Sequence, residues 1–338
     1  DSGLLDAAGQ LVGYWVSEQF GTDFNVFPFN VESFEQYEPP LPSGRYILCR
    51  GLMKFVSDRQ TRSSFDFLDE NGRVIARLEG WQDRYFSVPH RYYQCRLHPQ
   101  TNYLSDPYLQ EETGLICRRI EPLPEGFLDD SWSIWKRVLA HLMLNQSERD
   151  FWYNLPEKGP RRTDWLLGRI AAKDAIRQWA DQNYQLALAP VDIQILPNSL
   201  GKPIVNCPEL TQMGGLPEVS LSHSHGYTIA VVVPPGSHIG IDLQRLDSIP
   251  NDDSLKIAFN PQELGLLPNQ SSEALILFWA AKEAASKALG TGLQGQPKNW
   301  CITDYRPTNQ QVTVTYQNQA FICKLYDFSA EIIAICQG

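Results

Sequence analysis

Residues 278–293 read FWAAKEAASKALGTGL, an alanine-rich run with charged residues at its centre and two glycines near its end. Ala, Leu, Lys and Glu are among the strongest helix formers, so the run predicts a helix over about 273–289. Gly290 and Gly292 follow its last residues, where glycine commonly ends a helix in a left-handed conformation. The prediction of the fold of the second part of the chain starts from this helix.

A short strand is predicted upstream of this helix. Ile239, Ile241 and Leu243 alternate with polar or small residues, and side chains of a strand point to opposite faces in turn. The apolar three therefore face the core, and Asp242 and Gln244 lie side by side on the other face. Two oxygen-bearing side chains are thus expected at neighbouring positions of one strand face.

Glu283 and Lys287 are four residues apart on the predicted helix and so share a face. Taken singly, the two residues could be an ordinary surface ion pair, and Asp242 could be a solvated strand residue.

The joint pattern Gly240-Ile-Asp242, then Trp279-Ala-Ala-Lys282-Glu283-Ala-Ala-Ser-Lys287, resembles the paired signature of the phosphopantetheinyl transferases. The resemblance implies transfer of the 4'-phosphopantetheine arm of coenzyme A to a serine of an acyl or peptidyl carrier protein. It implies Mg²⁺ on Asp242 and Glu283, with Glu283 taking the serine proton and Lys287 steadying phosphate oxygens. Gln244 stands where many relatives have a third metal-binding glutamate, and an amide oxygen brings no charge.

Three shorter segments resemble the surfactin-synthetase-activating (Sfp-like) branch of that family: residues 165–173, 201–203 and 221–224. The resemblance covers roughly residues 130–338. It implies a pseudo-dimeric α/β fold of two similar halves, with the coenzyme in the cleft between them. The residues it implies as coenzyme A contacts are His223, Ser222, Lys173, Arg149, Lys202, Pro203 and Lys282.

The first part of the chain has a different pattern. Residues 4–16 predict a helix with one apolar stripe, formed by Leu5, Ala8, Leu11, Val12 and Trp15. Residues 45–56 predict a strand. Alternation on both sides of Asn71-Gly72 predicts a hairpin with a type I' turn. A helix wrapped by an antiparallel sheet is the expected fold of this part.

The segment Leu4-Leu5-Asp6-Ala-Ala-Gly-Gln10 resembles a helix of polyketide synthase dehydratases, which have a double hot-dog fold. The resemblance covers roughly residues 1–120 and implies an active-site aspartate at Asp6 with Gln10 one turn away. The partner histidine is absent, because His90 and His98 do not lie in its motif. The expectation is half of a dehydratase in a polyketide synthase; Asp6 as a plain surface carboxylate stays open.

Two prolines and a glycine in Pro122-Leu-Pro124-Glu-Gly126 interrupt the regular patterns. The predicted domains are therefore 1–121 (hot-dog, partial dehydratase-like), 122–130 (linker) and 131–338 (transferase), an α+β chain. Asp130 or Ser131 is expected to cap a helix that follows the linker.

A net charge of −10 argues against broad binding to nucleic acid or acidic membranes, and no apolar run is long enough to span a membrane. Seven scattered cysteines without metal-binding spacing indicate free thiols and a cytoplasmic protein. Two other functions stay open. The chain could be a non-catalytic module that docks a carrier protein, or half of a dehydratase completed in trans.

Overall fold

A computed structural model describes residues 2–21, 24–39, 44–87, 90–123, 127–128, 134–246, 257–267 and 271–338. The chain divides into two compact units. The first unit comprises Asp1–Tyr93 and Pro124–Trp135, and the second comprises Gln94–Leu123 and Lys136–Gly338. The predicted helix caps Asp130 and Ser131 lie outside the described residues.

The first unit consists of a long helix and an antiparallel sheet. Its elements are α1 (Ser2–Phe20), β1 (Phe24–Asn30), β2 (Ser33–Gln36), β3 (Leu48–Ser57), β4 (Gln60–Leu68) and β5 (Val74–Ser87). The strands are ordered β1-β5-β4-β3, and β2 also pairs with β5. The short helix α2 (His90–Leu97) spans the division between the units.

The core of the first unit forms where α1 packs on the sheet. Leu4, Ala8, Val12 and Val16 of α1 are buried there with aromatic residues of β4 and β5. The helix is confirmed, but Leu5 is 37% exposed, so the apolar stripe begins at Leu4 rather than at Leu5.

The hairpin between β4 and β5 is confirmed, but its type I' turn is wrong. Such a turn needs positive φ at both central residues, and of these only Gly72 has one, at 78°. The turn is instead organised by Asp69, whose carboxylate accepts hydrogen bonds from the amides of Asn71 (2.9 Å) and Arg73 (2.8 Å). Asp–backbone bonding of this kind is a common alternative to a two-residue turn.

The second unit contains a mixture of helices and short strands. Its first elements are β6 (Asp106–Tyr108), β7 (Ile116–Ile120), α3 (Trp135–Met143), α4 (Gln146–Tyr153), α5 (Arg161–Tyr184), β8 (Gln194–Pro197), β9 (Pro203–Asn206) and α6 (Pro208–Met213). The remaining elements are β10 (Glu218–Ser224), β11 (Tyr227–Val233), β12 (Ile239–Arg245), α7 (Pro261–Leu264), α8 (Ser272–Leu289), β13 (Cys301–Arg306), β14 (Gln311–Tyr316), β15 (Gln319–Phe328) and β16 (Glu331–Gln337).

Two antiparallel sheets form the framework of this unit. Sheet I has the order β10-β11-β7-β6, and sheet II has the order β12-β16-β15-β14-β13. One long helix packs on each: α5 on sheet I and α8 on sheet II. The opposite faces share one core, in which Ile229 and Val231 of sheet I are buried with Ile241 and Ile333 of sheet II.

The predicted domain boundary after residue 121 differs from the division into compact units. β7 hydrogen-bonds to β11, and Cys117 is buried in the core shared by the two sheets. Residues 94–123 therefore fold with the second unit. One change between the units, from Leu123 to Pro124, does lie in the segment predicted as the boundary, and the other two lie between Tyr93 and Gln94 and between Trp135 and Lys136.

Among the described residues, no helix is both long and apolar enough to cross a membrane. All seven cysteines are free thiols, as predicted, and five of them are buried.

Candidate active site

Asp242 and Glu283 are brought together because β12 lies directly against α8. At Gly240 a Cβ atom would lie 1.9 Å from the carbonyl oxygen of Ala284 and 2.5 Å from the amide nitrogen of Ala288. Only glycine permits that approach of strand to helix backbone. Gly240 therefore allows Asp242, two residues later on the same strand, to lie against the helix.

Asp242 is buried and accepts three side-chain hydrogen bonds. Its Oδ1 accepts from Lys287 Nζ at 2.6 Å and from Ser222 Oγ at 2.9 Å, and its Oδ2 accepts from the Gln244 amide at 2.7 Å. Ser222 comes from β10 of sheet I, so both sheets contribute to the site. The structure places Ser222 on Asp242, where it helps to fix the carboxylate.

Glu283 lies one turn before Lys287 on α8, and no described residue hydrogen-bonds to its carboxylate. Burial raises the pKa of Glu283, the charge of Asp242 raises it further, and Lys287 opposes both. A partly buried carboxylate whose pKa is shifted by burial and by a neighbouring charge is a candidate functional group.

A cavity of about 170 Å³ lies next to Lys287. Besides Lys287, two cations line it, Arg169 of α5 and Lys202, together with Pro203 and Gly290. Burial lowers the pKa of Arg169 to about 10, which leaves its guanidinium charged at neutral pH. Three cations around one cavity suit an anionic ligand such as a phosphate.

Gly290 ends α8 at this cavity with φ of 84°. A Cβ atom there would lie 2.8 Å from Cδ of Lys202, so the glycine also gives the lysine stem its place. Lys202 Nζ pairs with Glu218 at 2.7 Å. The sequence-predicted residues Lys202 and Pro203 are thus brought to the same cavity as Lys287.

His223 and Arg149 are not among the residues that line this cavity. The His223 ring is half exposed, with Nε2 3.9 Å from Oδ2 of Asp164 at the start of α5. Arg149 donates to the carbonyl of Leu144 and, at 2.8 Å, to Gln146, so its guanidinium binds the first residue of its own helix and a carbonyl just before that helix.

Two of the predicted coenzyme A contacts, Lys173 and Lys282, lie in the interior instead. The Lys173 ammonium donates to Glu148 and to the carbonyl of Met143, both at 2.6 Å, and its side chain is 0% exposed. Lys282 is equally inaccessible and pairs with Glu263 at 2.7 Å. Because both ammoniums are enclosed and partnered, neither reaches the surface of the site.

The two interior lysines have matching surroundings. Glu148 and Glu263 each accept a backbone hydrogen bond from an asparagine three residues earlier, at 2.9 and 2.7 Å. Each glutamate also accepts, at 2.8 Å, the amide of the second residue of a following strand, β8 or β13. The same arrangement of helix, lysine and glutamate therefore occurs once beside each sheet.

In the first unit, Gln10 donates to Asp6 at 2.7 Å, and both side chains are exposed on α1. The one-turn spacing is as the sequence predicts. Both residues lie on the solvent side of the helix, away from the buried face formed by Leu4, Ala8 and Val12.

Sequence reasoning missed the cavity role of Arg169 and the contact of Ser222 with Asp242. Arg169 lies in a segment quoted for its resemblance, but its charge gave no sign that it lines a cavity. Within the described parts of the chain, no three or more His, Cys, Asp or Glu residues are grouped closely enough to hold a metal ion. Asp242 and Glu283 are therefore two carboxylates without a third.

Comparison with known proteins finds relatives of the second unit. Residues 238–336 match the family model of the 4'-phosphopantetheinyl transferase superfamily. A holo-[acyl-carrier-protein] synthase from Bacillus subtilis (strain 168) is 36% identical over 98 residues, which cover 29% of this chain and 78% of that protein. A synthase of the same name from Bacillus cereus (strain AH187) is 32% identical over 109 residues, covering 32% and 82%.

A solved structure of a holo-(acyl-carrier-protein) synthase from Bacillus anthracis str. Ames in complex with CoA (3',5'-ADP) is also similar, at 26% identity and a TM-score of 0.27. The match covers 36% of this chain and 93% of the chain in the solved structure. The match to the family model includes β12 and α8, the two elements that carry Asp242 and Glu283. The chain therefore belongs to the 4'-phosphopantetheinyl transferase superfamily of enzymes.

Proposed function

We propose that this enzyme transfers the 4'-phosphopantetheine arm of coenzyme A to a serine hydroxyl of an acyl or peptidyl carrier protein. The observation that carries the proposal is the pairing of a carboxylate fixed by three donors, Asp242, with an unfixed carboxylate of raised pKa, Glu283, beside a basic cavity. The reaction needs these two kinds of group, one to organise the diphosphate and one to accept a proton.

Glu283 is the proposed base. The attacking serine must lose its proton as its oxygen bonds to the β-phosphorus of coenzyme A, and 3',5'-ADP leaves. A carboxylate with a raised pKa is a better proton acceptor than an ordinary one. Since no described side chain holds Glu283, its carboxylate is available to an incoming hydroxyl or to a water.

Asp242 and Glu283 are the residues that would hold Mg²⁺, and the donor set fits such an ion. With one ammonium between two carboxylates the site has an excess of negative charge, and Mg²⁺ prefers oxygen ligands while it keeps several waters. The Gln244 side chain is the third candidate through its amide oxygen. When bound, the ion supplies charge neutralisation at the diphosphate.

The cations of the cavity are the proposed contacts of the coenzyme phosphates. Lys287 lies between Asp242 and the cavity, so its ammonium can donate to a phosphate oxygen of a bound diphosphate. Arg169 and Lys202 line the same cavity. Pro203 lies beside Lys202 and would border the adenine, and His223 of β10 would meet the 3'-phosphate.

We infer that the second unit is a pseudo-dimer of two halves with the coenzyme between them. Three features support it: sheets I and II each hold one long helix, the Lys173 and Lys282 ion pairs have matching contacts, and the strand orders correspond. The strand orders correspond as follows: sheet I has β7-β11-β10, with β9 next to β10 and β8 paired with β9, and sheet II has β12-β16-β15-β14-β13.

For the first unit we propose a hot-dog half of a dehydratase and a parent polyketide synthase. A 19-residue helix packed on an antiparallel sheet supports the fold, whereas Asp6 and Gln10 keep the predicted one-turn spacing but are both exposed. Because the partner histidine is absent, we expect no water loss from a β-hydroxyacyl thioester incubated with this chain. Water loss would contradict an incomplete site.

The transfer reaction is tested by chromatography of 3',5'-ADP released from coenzyme A when an apo carrier protein is added. We expect release with millimolar Mg²⁺ and no release when the metal is removed by a chelator. Release that persists in the chelator would contradict the role proposed for Mg²⁺. Release without a carrier protein would contradict the proposed acceptor.

A further inference from the structure

A second cluster of buried charges lies beside sheet I, outside the candidate active site. Its centre is Asp174 of α5, which is 0% exposed. Asp174 Oδ2 accepts hydrogen bonds from the amides of Leu104 and Ser105, both at 2.9 Å, and from the Ser105 hydroxyl at 2.8 Å. Its Oδ1 accepts from Arg177 at 2.9 Å. Every oxygen of this carboxylate is occupied.

Arg118 of β7 completes the cluster. Its Nε donates to the Ser105 hydroxyl at 2.7 Å, its Nη1 donates to Gln178 at 2.6 Å, and its Nη2 donates to the Ser105 carbonyl. Arg177 binds the carbonyls of Pro99 and Asn102. The cluster therefore holds the segment 99–105 against α5 and β7.

The cluster occupies the position in sheet I that the candidate site occupies in sheet II. Arg118 pairs across its strand with the buried Ala230 of β11, as Asp242 pairs with the buried Ala334 of β16. The residues on either side of each alanine face the core shared by the two sheets. Each alanine therefore faces the other way, towards the helix that packs on its own sheet.

The helix positions match as well. Asp174 follows the interior lysine Lys173, as Glu283 follows Lys282. Gln178 lies four residues after Asp174, as Lys287 lies four residues after Glu283. The contact between Arg118 and Gln178 corresponds in position to the contact between Asp242 and Lys287, although the residue types differ.

We propose that the Arg118–Asp174 cluster is a closed counterpart of the Asp242–Glu283 site, sealed by its own arginine and occupied by the chain's own Ser105. The inference rests on the proposed function, because it takes Asp242 and Glu283 as the cation-binding pair. The Arg177 guanidinium, paired with Asp174 at 2.9 Å, and the Arg118 guanidinium beside Ser105 supply the positive charge, so no cation is needed to balance Asp174. The Ser105 hydroxyl fills the place beside Asp174 that an acceptor hydroxyl would take beside Glu283.

The first test counts Mn²⁺ ions bound per chain by electron paramagnetic resonance, with Mn²⁺ as the probe. The matched variants are Glu283→Gln and Asp174→Asn, which remove one charge from equivalent positions. We expect one ion per chain, an affinity at least tenfold weaker in Glu283→Gln, and no change in Asp174→Asn. Two ions, one of which disappears in Asp174→Asn, would overturn the proposal.

The second test needs no substitution. Hydrogen exchange of the wild-type chain should show the amides of Leu104 and Ser105 protected without metal, with no change when Mn²⁺ and coenzyme A are added. Free exchange, or protection that arises only with Mn²⁺, would overturn the closed state. If the wild type binds no ion at all, the proposed metal role fails, and this exchange still decides the closed state.

A gain of binding tests the sealing role of the arginine. The double variant Arg118→Asp with Gln178→Lys gives the cluster the residue types of the open site. We expect it to bind a second Mn²⁺, and adding Asp174→Asn should remove that ion. A folded double variant that still binds one ion would contradict the assignment of Arg118 as the residue that seals the cluster.

Discussion

Lys287 Nζ lies 2.6 Å from Oδ1 of Asp242, although α8 and β12 are separated in the chain by the whole segment 246–271. The contact is possible because the strand backbone approaches the helix at Gly240. It leaves Glu283, on the same helix face as Lys287, without a fixed partner among the described residues. The site is thus organised on one side and open on the other.

Replacement of Glu283 by glutamine should separate activity from stability. We expect turnover to fall by about 100-fold, the usual scale for loss of a general base. The raised pKa of Glu283 means that the folded state binds this proton more tightly than the unfolded state, so the carboxylate costs stability once pH rises above that pKa. Glu283→Gln should therefore raise Tm at neutral pH.

The need for a deprotonated Glu283 predicts the pH profile. The wild-type rate should fall on the acid side, because the base must be deprotonated to accept the serine proton. That acid limb should be missing in Glu283→Gln, as measured by initial rates at saturating carrier protein. An unchanged limb in the variant would assign the titration to another group.

Substitution of Gly240 by alanine should destabilise the second unit by about 1–3 kcal/mol or more, because the new methyl group meets the Ala284 carbonyl at 1.9 Å. The control is Gly13→Ala in α1, where a Cβ meets nothing within 4 Å. That change should stabilise the helix by about 0.5–1 kcal/mol. Denaturant unfolding measures both, and a harmless Gly240→Ala would contradict the close approach of β12 to α8.

The interior lysines give a paired prediction. Lys173→Met and Lys282→Met each leave a buried glutamate, Glu148 or Glu263, without its ammonium, which costs about 3–5 kcal/mol. We expect similar losses in Tm for the two variants and an unchanged coenzyme A affinity in the folded fraction, measured by calorimetry. A stable Lys173→Met variant with weakened coenzyme A binding would instead support its sequence-predicted role as a ligand.

In the first unit, the carboxyl group of Asp83 makes the free energy of unfolding depend on pH. It is 1% exposed, and burial raises its pKa to about 6, with hydrogen bonds from Trp81 and Thr61 in opposition. Its folded pKa lies above the unfolded value, so its contribution to stability is present at low pH and is lost as pH rises through about 6.

The isosteric variant Asp83→Asn should remove that dependence. At pH 8 we expect the variant to be more stable than the wild type by at least about 1 kcal/mol, the worth of roughly one pKa unit. The difference should shrink by pH 5, where the wild-type carboxyl is protonated. Denaturant midpoints at the two pH values measure it, and a constant difference would show that Asp83 does not titrate between them.

The sequence predicted the elements with long, regular patterns. The helices α1 and α8 and the strands β3 and β12 agree with the structure to within a few residues. Short strands such as β6, β8 and β9 have only three or four residues, too few for alternation to be recognised. β7 was assigned to the first domain because its pairing partner, β11, lies more than a hundred residues later in the chain.

The sequence predicted the polar residues of the site from their types and spacing, but it could not predict which of them are buried. Lys173 and Lys282 resemble phosphate-binding lysines, and only the fold shows Glu148 and Glu263 beside them. Arg118 and Asp174 gave no signal, because their pairing joins β7 to α5 across Ser105. Local periodicity holds no information on contacts of that sequence separation.

The central claim is tested most directly by the intact mass of an apo carrier protein incubated with this chain, coenzyme A and Mg²⁺. The account predicts a mass gain of one phosphopantetheine arm, absent with Asp242→Asn and Glu283→Gln and retained with Lys158→Ala, a control at an exposed position. No gain on several apo carriers by a folded chain that binds coenzyme A would contradict it, as would a gain that survives Asp242→Asn.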